Sequence, residues 1–495
     1  MYTSKYSYVD SINELRLSDG SAIYVFHDDC SDNHPMEKTF VKYNDLNDVT
    51  EHKIKNNICP EQSIVKLINA YSTRLEMSGW NNLSGAIYDS EGELVAQSKV
   101  RSGQRCDRRI DIKEYTGIRS IETICIYLGH YNEVYGHFIL ESLSRVWALK
   151  EFKSFNFYYV FLRVRNDQLT GSKYTAKFLY ELGIPLSNVI ILDEPAKFHE
   201  IYIPSPLFDL GRSIHPVQIE LYRSLSISAA LKSSRKFGRK LYLSRKLLPL
   251  GQHKFLNEAD IESIFGLYEF DIIYPEKCDF YDQMRAYAHA DYLSGASSSA
   301  LHNSVFSPEN TKIIILDGRA KDGGSPSSVQ LHLSNACNQI VVVLAGDRAI
   351  YVEGGNTGQF PYLIHPKLVY EYLRNEFGEK EIGWDEYVNQ EMLDAISLLL
   401  IKYLIFYLVR FCAFTQADFW LRILMEHDLY RHDDELNNLI KRLQIRRERY
   451  KDRFVSYELL PTKEYGIKVG AYADECNLTF DTVVNRVSQY LMHVD

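Results

Sequence analysis

Three polar residues at four-residue intervals form the densest group of chemically active side chains in the sequence. The segment GHYNEVYGHFILESLSRVW (129–147) contains His137, Glu141 and Arg145. On an α-helix, residues four apart lie on one face, so this spacing predicts a single polar stripe. A carboxylate one turn from a histidine can hold the imidazole in one tautomer and raise its basicity, as a general base requires. The spacing also fits an ordinary surface ladder of charged residues, and the sequence leaves both interpretations open.

A turn rich in small residues follows a second predicted strand. In DYLSGASSSALHNSVFSP (291–308) the strand ends at Gly295, and a helix is predicted to begin near Ser298 or Ser299. The exposed backbone N–H groups and the positive end of that helix would bind an anion such as a diphosphate. The serines fit equally well as plain N-caps of the helix.

The same turn has a weak likeness to the G-x-S-x-G turn of serine hydrolases, with Ser299 in place of the last glycine. Asp317 and His332 follow in the chain order Ser, Asp, His that α/β-hydrolases use. These two residues are close together in sequence, however, and no HGGG-type loop precedes them. A serine hydrolase is therefore the least favoured alternative.

Two cationic residues follow the strand in LYLSRK (241–246). Arg245 and Lys246 stand at its carboxyl end, where basic side chains can reach ligand phosphates and Arg can bind them in bidentate fashion. Plain surface charge is the alternative. Asn257 and Glu258 begin the next predicted helix, with Asn257 as its N-cap. The sequence contains no Asp-x-Asp pair for a bridging metal and no glycine-rich P-loop or GxGxxG motif.

In this order, these segments resemble the motifs of glycosyltransferase family 61. Family members share a GHF-x-x-E-x-L-x-R-x-W pattern, then Y-x-S-R, then N-E, and then A-x-x-x-x-G-x-HGA-x-L-x-N-x-x-F-x-P. The corresponding segments here are GHFILESLSRVW (136–147), YLSR (242–245), NE (257–258) and ADYLSGASSSALHNSVFSP (290–308), preceded by a matching Gln283. The resemblance covers about residues 80–375. It departs from the family where Ser297 and Ser298 replace His-Gly, and where an arginine before N-E is absent.

The resemblance implies an inverting glycosyltransferase of the GT-B architecture that needs no metal or other cofactor. It implies sugar transfer from a nucleotide-activated donor to a glycan or lipid-linked glycan, and bacterial relatives commonly serve the synthesis of capsular or other surface polysaccharides. The implied catalytic residues are His137, Glu141 and Arg145. The implied donor-binding residues are Arg245, Lys246, Asn257, Glu258, Gln283, Gly295, Ser297, Ser298, Ser299 and Asn303.

An inverting transfer is a single displacement, so it needs one base for the acceptor hydroxyl and no covalent nucleophile. We favour His137 as this base, with Glu141 orienting it, because neutral imidazole titrates near neutral pH. The reverse assignment is nearly as good. Ser297 and Ser298 replace the family His-Gly, and this departure suggests an alternative. In that alternative the protein is an inactive relative of the family that serves as a glycan-binding or scaffold subunit.

The rest of the sequence predicts an α/β fold that carries these residues. Strand-like and helix-like segments alternate over about 120–204 and again over 240–346, which is typical of parallel sheets covered by helices. Two such units suggest two facing Rossmann-like domains with the ligand at the carboxyl ends of their strands. The predicted divisions are a β-rich N-terminal segment (1–118), an acceptor domain (119–205), a linker helix (206–235), a donor domain (236–350), a return segment (351–383) and a helical extension (384–495).

Composition agrees with a globular protein of several domains. The 495 residues are 45% apolar and 24% charged, which excludes wholesale disorder. The net charge of −9 argues against a general nucleic-acid-binding protein. The eight cysteines are scattered without zinc-site spacing, and the N-terminal residues lack a secretory signal pattern. We therefore expect reduced cysteines and a cytoplasmic location.

The predicted helical extension holds the most apolar run of the sequence, SLLLIKYLIFYLV (397–409). Its thirteen residues are too few to cross a hydrocarbon core, which needs about 20. A buried or dimer-interface helix is favoured, and a helix lying in a membrane interface is the alternative. The segment 441–453 adds seven basic and two acidic residues, which form a solvated face or a contact for anionic lipid. We therefore expect 397–453 to mediate self-association or peripheral contact with the inner face of a membrane.

Overall fold

The structure is a computed structural model, and it describes most of the chain as far as residue 380. The described residues are 13–16, 21–26, 37–43, 48–55, 62–77, 83–101, 104–152, 156–164, 173–211, 213–248, 255, 257–318, 328–348, 362–364, 366–380, 402 and 434–449. They form an α/β protein with two large sheets.

Most strands belong to these two sheets, and the remainder form two-residue pairs. In chain order the described strands are β1 (Asn13–Arg16), β2 (Ala22–Phe26), β3 (Glu37–Tyr43), β4 (Val49–Lys55), β5 (Gln62–Ser72), β6 (Glu76–Met77), β7 (Leu83–Ser84), β8 (Ile87–Tyr88), β9 (Arg119–Tyr131), β10 (Tyr158–Arg163), β11 (Val189–Leu192), β12 (Ala196–Pro204), β13 (Phe208–Asp209), β14 (Ser213–Ile214), β15 (Lys240–Leu243), β16 (Asp271–Ile273), β17 (Tyr292–Ala296), β18 (Lys312–Asp317), β19 (Ile340–Ala345), β20 (Asp347–Arg348) and β21 (Tyr362–Leu363). Strands β9 to β12 fall in the range of about 120–204, and strands β15 to β19 fall in the range 240–346, where strands and helices are predicted to alternate.

Helices connect the parallel strands. The described α-helices are α1 (Tyr135–His137), α2 (Tyr174–Glu181), α3 (Pro216–Ala230), α4 (Glu258–Leu267), α5 (Phe280–Ala288), α6 (Ser328–Ala336), α7 (Pro366–Phe377) and α8 (Asp434–Arg449). A π-helical turn covers Phe138–Ser142. The described 3₁₀-helices are Ala96–Ser98, Ile112–Tyr115, Val146–Glu151, Leu186–Asn188, Pro275–Lys277 and Leu301–Phe306.

The first sheet has a parallel part in the order β12–β9–β10–β11. The chain leaves β9 toward β10 and β11 on one side, and β12 then pairs with the other side of β9. The strand order therefore reverses between β9 and β12. In open α/β sheets, ligands bind outside the carboxyl ends of the strands at such a switch point.

The second sheet has the order β16–β15–β17–β18–β19–β3–β4, with all strands from β16 to β3 parallel. Its first five strands have the 2-1-3-4-5 order of a doubly wound sheet. The chain passes from β15 through α4 to β16, and returns through α5 to β17 on the other side of β15. This second switch point lies between the carboxyl ends of β15 and β17, which lead into Arg245 and into the serines at 297–299.

The predicted β-rich segment 1–118 does not form a sheet of its own. Its strands β1, β2, β5 and β8 extend the first sheet, whereas β3 and β4 extend the second. Local residue patterns do not indicate this division, because a strand's partner far along the chain is set by tertiary packing. The N-terminal segment is therefore an integral part of both sheets.

A continuous cluster of buried apolar side chains joins the two sheets, and α3 lies within it. The Tyr222 hydroxyl of α3 donates to the carbonyl of Ile139 in the π-helical turn, and the side-chain amide of Gln218 donates to the carbonyl of Leu143 at 3.0 Å. On the other side, the Ser226 hydroxyl donates to the carbonyl of Phe306 at 2.9 Å. The predicted linker helix therefore holds together the two segments that follow β9 and β17.

The predicted helical extension is described only in part. Helix α8 includes residues 441–449 of the basic segment. The apolar run 397–409, apart from Lys402, lies outside the described residues, as does 450–453. Among the described helices, none combines the length and the apolar character that a membrane span needs.

Candidate active site

The segments that follow β9 and β17 meet at one place, although they are more than 150 residues apart in the sequence. A Cβ atom placed on Gly136 would lie 2.9 Å from the Cβ of Ser299 and 3.2 Å from the Cδ2 of His302. The Tyr135 hydroxyl donates to the Oδ1 of Asn303, which is itself buried. The two sequence motifs are therefore in direct contact, and a residue without a side chain at 136 allows their close approach.

The helix expected to carry His137, Glu141 and Arg145 on one face is broken into three parts. Its first turn is α1, its second is the π-helical turn at 138–142, and its last part is the 3₁₀-helix at 146–151. His137 and Glu141 still meet, with 2.5 Å between Nδ1 and Oε2. A π-turn holds more residues than an α-turn, so the predicted continuation of the stripe to Arg145 is wrong.

Arg145 instead points into the protein and is fully buried. Its Nε donates to the carbonyl of Pro204 at 3.1 Å, and its Nη2 donates to the carbonyls of Gln97 and Lys99 at 3.0 and 2.5 Å. Its guanidinium lies 5.2 Å from the ring centre of Tyr127. The geometry gives Arg145 a structural role, in which it ties the end of β12 to the chain that leads to residue 101.

Sequence reasoning missed Arg101, which takes the place expected for Arg145. Its Nε lies 2.5 Å from Oε1 of Glu141 and its Nη2 lies 3.0 Å from Oε2. The same Nη2 is 3.4 Å from Nδ1 of His137. Nothing in the local sequence marks Arg101, because its partners follow about 40 residues later on a different element.

The protonation of this cluster follows from its hydrogen bonds. Burial raises the pKa of the Glu141 carboxyl, but the hydrogen bonds from His137 and Arg101 outweigh it and lower the pKa to about 2. An ionised carboxylate can only accept hydrogen bonds, so the proton in the short contact belongs to Nδ1 of His137. In the neutral imidazole, Nε2 then carries the lone pair. This arrangement favours His137 over Glu141 as a general base.

Two further histidines flank the pair. The Nε2 of His130, at the end of β9, lies 3.9 Å from Oε2 of Glu141. The Nδ1 of His302 is 2.9 Å from the side-chain oxygen of Gln330. Burial lowers the pKa of each imidazole to about 4, so both are neutral at neutral pH. The cluster therefore combines one ionised carboxylate and one guanidinium with three imidazoles.

At the switch point of the second sheet, Arg245 meets the serine turn. Its Nη1 donates to the Oγ of Ser298 at 3.0 Å, and its backbone N–H donates to the Oε1 of Glu258 at 3.1 Å. Ser297, Ser298 and Ser299 are half-buried, so their hydroxyls lie near the surface of the site. Arg245 and the serine turn, both of which the resemblance assigns to donor binding, therefore lie next to each other.

The helix predicted to begin near Ser298 is instead the six-residue 3₁₀-helix Leu301–Phe306. So short a helix has only a small dipole, and the first residues of the turn lie outside it. Gly295 pairs with Leu243 of β15, where a Cβ would lie 2.9 Å from the Leu243 carbonyl oxygen, so the close strand pairing favours a glycine. The polar groups described at the carboxyl ends of β15 and β17 are therefore the hydroxyls of the serine turn and the guanidinium of Arg245.

Four other predicted donor-binding residues support the surrounding structure. Glu258 is buried and accepts from the Tyr242 hydroxyl at 2.7 Å. Asn257 is the N-cap residue of α4, as predicted, but its side-chain amide donates to the carbonyl of Ile364 at 2.8 Å and makes no cap hydrogen bond. The ammonium of Lys246 pairs with Glu262 at 3.2 Å, and the amide of Gln283 donates to the carbonyls of Pro275 and Cys278 at 2.8 and 3.2 Å. The structure does not direct Lys246 or Gln283 to the serine turn.

A family model described as Glycosyltransferase 61 matches residues 135–314. The matched range contains both halves of the site, from Tyr135 at the start of α1 to β18. The match supports a glycosyltransferase. No curated protein matches the chain. Within the described residues, no group of three histidine, cysteine, aspartate or glutamate side chains is placed to hold a metal ion.

Proposed function

We propose that the protein is an inverting glycosyltransferase that moves a sugar from a nucleotide-activated donor to a hydroxyl of a glycan or lipid-linked glycan. The observation that carries the proposal is the contact between two switch points. One holds the pair of partly exposed His137 and buried Glu141, and the other holds Arg245 beside Ser298. The family match over 135–314 gives independent support.

In this proposal, His137 accepts the proton of the acceptor hydroxyl at Nε2 while Glu141 holds Nδ1–H. The hydroxyl oxygen forms a bond to the anomeric carbon from the face opposite the nucleotide. The bond between that carbon and the phosphate oxygen breaks, and the nucleoside diphosphate leaves with the electron pair. One displacement inverts the anomeric centre and requires no covalent intermediate on the protein.

The leaving diphosphate needs stabilisation as its negative charge develops. Arg245 can provide a charge-assisted, bidentate contact, and the Ser297–Ser299 hydroxyls can donate further hydrogen bonds. We propose that these groups take the place of the family's His-Gly, and that Asn303 and Tyr135 keep the turn in register with α1. Arg245 and the serines would then act without a bound metal, as the family resemblance implies.

We further propose the two-domain GT-B arrangement, with the first sheet on the acceptor side and the second on the donor side. We also propose that the protein acts in surface polysaccharide synthesis, at the cytoplasmic face of a membrane. The basic helix α8 is the described part of the segment that would mediate this contact or self-association.

A panel of nucleotide sugars, incubated with and without acceptor glycans and with or without EDTA, tests the proposal. We expect release of nucleoside diphosphate that depends on one donor, increases with acceptor and survives the chelator. Glycan binding without turnover of any donor would instead support the inactive, glycan-binding relative. Loss of activity in EDTA that magnesium or manganese restores would contradict metal independence. Covalent labelling by a fluorophosphonate would point to the serine hydrolase.

A further inference from the structure

Arg101 reaches the His137–Glu141 pair from outside the range 135–314 that the family model matches. We propose that Arg101 is a positioning residue for proton transfer: its guanidinium fixes the Glu141 carboxylate and balances its charge, and the carboxylate in turn holds His137. This inference rests on the proposed function, because it concerns the base of the same reaction.

The hydrogen bonds divide the carboxylate between two partners. Arg101 Nε holds Oε1 at 2.5 Å, and Nη2 holds Oε2 at 3.0 Å, which is the planar two-bond geometry of a guanidinium on a carboxylate. Oε2 also receives Nδ1–H of His137. The terminal torsion of a glutamate is broad, so the fork of Arg101 fixes the plane in which Oε2 meets the imidazole.

The charge of Arg101 matters because the carboxylate is almost fully buried, at 2% exposure. Without a cation, such a group takes up a proton or holds an imidazolium too strongly for it to pass its proton on. His130 and His302, which approach the pair from β9 and from the 3₁₀-helix at 301–306, are neutral imidazoles and do not supply this charge. Arg145 directs its Nε and Nη2 donors to backbone carbonyls.

The chain before Arg101 is held in place by the helical segment itself. Arg145 donates to the carbonyls of Gln97 and Lys99, and the backbone N–H of Val100 donates to the side-chain oxygen of Gln104 at 2.8 Å. The backbone that carries Arg101 is therefore held by hydrogen bonds at Gln97, Lys99 and Val100. In this way the N-terminal segment completes the active site.

Steady-state kinetics of the full-length Arg101→Gln and Arg101→Lys variants tests the proposal, with the donor and acceptor found in the panel. We expect Arg101→Gln to lower kcat by about 10–100-fold, as loss of an orienting partner does, with the donor KM within about twofold of wild type. The acid limb of the pH–rate profile should move to higher pH, because the carboxylate charge next to the base is no longer balanced. Arg101→Lys, which keeps the charge, should restore the position of that limb. Arg109→Gln, which removes an exposed arginine paired with Glu93, is the matched control and should behave as wild type.

A double-mutant cycle separates positioning from a general structural role. If Arg101 acts through Glu141, the Arg101→Gln/Glu141→Gln double variant should lose no more activity than Glu141→Gln alone. Additive losses, or equal losses in Arg101→Gln and Arg101→Lys with an unmoved acid limb, would overturn the inference. If Arg101→Gln does not fold, Arg101→Lys takes its place: loss of the two-bond fork should lower kcat with the acid limb unmoved, and this loss should vanish in the Glu141→Gln background. A wild-type kcat in Arg101→Lys, or additive losses in its double variant, would then overturn the inference.

A measurement without substrate keeps this inference separate from the proposed function. In ¹³C-glutamate-labelled protein, the Glu141 carboxyl, assigned by its loss in Glu141→Gln, should titrate at higher pH in Arg101→Gln by roughly one unit or more. An unchanged titration would overturn the role of Arg101 even in an active enzyme. If the titration of Glu141 shifts in Arg101→Gln but the wild-type protein turns over no donor, the electrostatic role of Arg101 stands and the proposed function is removed.

Discussion

The carboxyl ends of the two sheets differ in how their polar groups are held. At the first sheet, the Glu141 carboxylate is buried and bonded to the side chains of Arg101 and His137. At the second sheet, the polar groups are Arg245 and the hydroxyls of a half-buried serine turn. One end is therefore fixed in advance, and the other presents small polar groups to an entering ligand.

This difference matches what each half of a glycosyl transfer requires. A general base works only in the right tautomer and position, so its partners must be in place beforehand. A donor site must accept and release a large polyanion, which small side chains and one guanidinium allow. The comparison therefore predicts that variants of the first end change turnover and that variants of the second change donor affinity.

The largest effect is expected from His137→Ala. Loss of a general base costs about 10²–10⁴ in rate, while nucleotide affinity should remain near that of wild type because the proposed donor site lies at the other sheet. Turnover and calorimetric nucleotide binding are the two measurements. His199→Ala, which removes an exposed histidine of β12, is the control. Wild-type turnover in His137→Ala would show that the hydrogen bond between His137 and Glu141 has no part in catalysis.

Arg245→Ala should weaken nucleotide binding by roughly 1.5–3 kcal/mol, or about 10–150-fold in Kd, the range for a hydrogen bond to a charged group. Lys246→Ala is the matched control, since its ammonium pairs with Glu262, and it should change the affinity little. Calorimetry with the preferred nucleotide measures both. Equal losses in the two variants would mean that general positive charge, not the geometry of Arg245, binds the donor.

Gly136→Ala tests the contact between the two ends. Its new methyl group would lie 2.9 Å from the Cβ of Ser299, so the serine turn must shift away from α1. We expect turnover to fall by on the order of tenfold, because small displacements of reacting groups are costly. Gly266→Ala in α4, where no atom lies within 4 Å of the new Cβ, is the control and should be neutral or slightly stabilising. Full activity in Gly136→Ala would contradict a shared site.

The last prediction concerns stability at acid pH and no longer activity. Burial lowers the pKa of His130 to about 4 from its ordinary value of 6.5, so between these values the unfolded chain binds more protons than the folded one. The free energy of unfolding should therefore fall as pH decreases from 6.5 toward 4, with His130 contributing about 3 kcal/mol at most. Urea titrations of His130→Phe should show a shallower pH dependence than wild type, and those of His199→Phe should not. An unchanged slope in His130→Phe would contradict the burial of a neutral imidazole.

Spacing within one segment predicted the His137–Glu141 contact, because residues four apart meet whether the turn is α or slightly wider. The same spacing failed for Arg145, since the π-turn at 138–142 is not visible in a periodic pattern. Arg245 and Lys246 are neighbours in the sequence, but Lys246 lies in a turn in which the Leu248 N–H donates to the Arg245 carbonyl at 3.1 Å, and its ammonium pairs with Glu262. The sequence shows where the strand ends but not which way the side chains of the following turn point. Arg101 could not be found this way, because its position is set by the packing of distant elements.

A crystal structure with the nucleoside diphosphate selected from the panel tests whether the two switch points form one active site. We expect a diphosphate within hydrogen-bond distance of Arg245 and the Ser297–Ser299 turn, with Nε2 of His137 facing the space beside its terminal phosphate. A nucleotide bound away from both switch points, for example in the cavity of about 400 Å³ lined by Arg74, Tyr88 and Arg105, would contradict it.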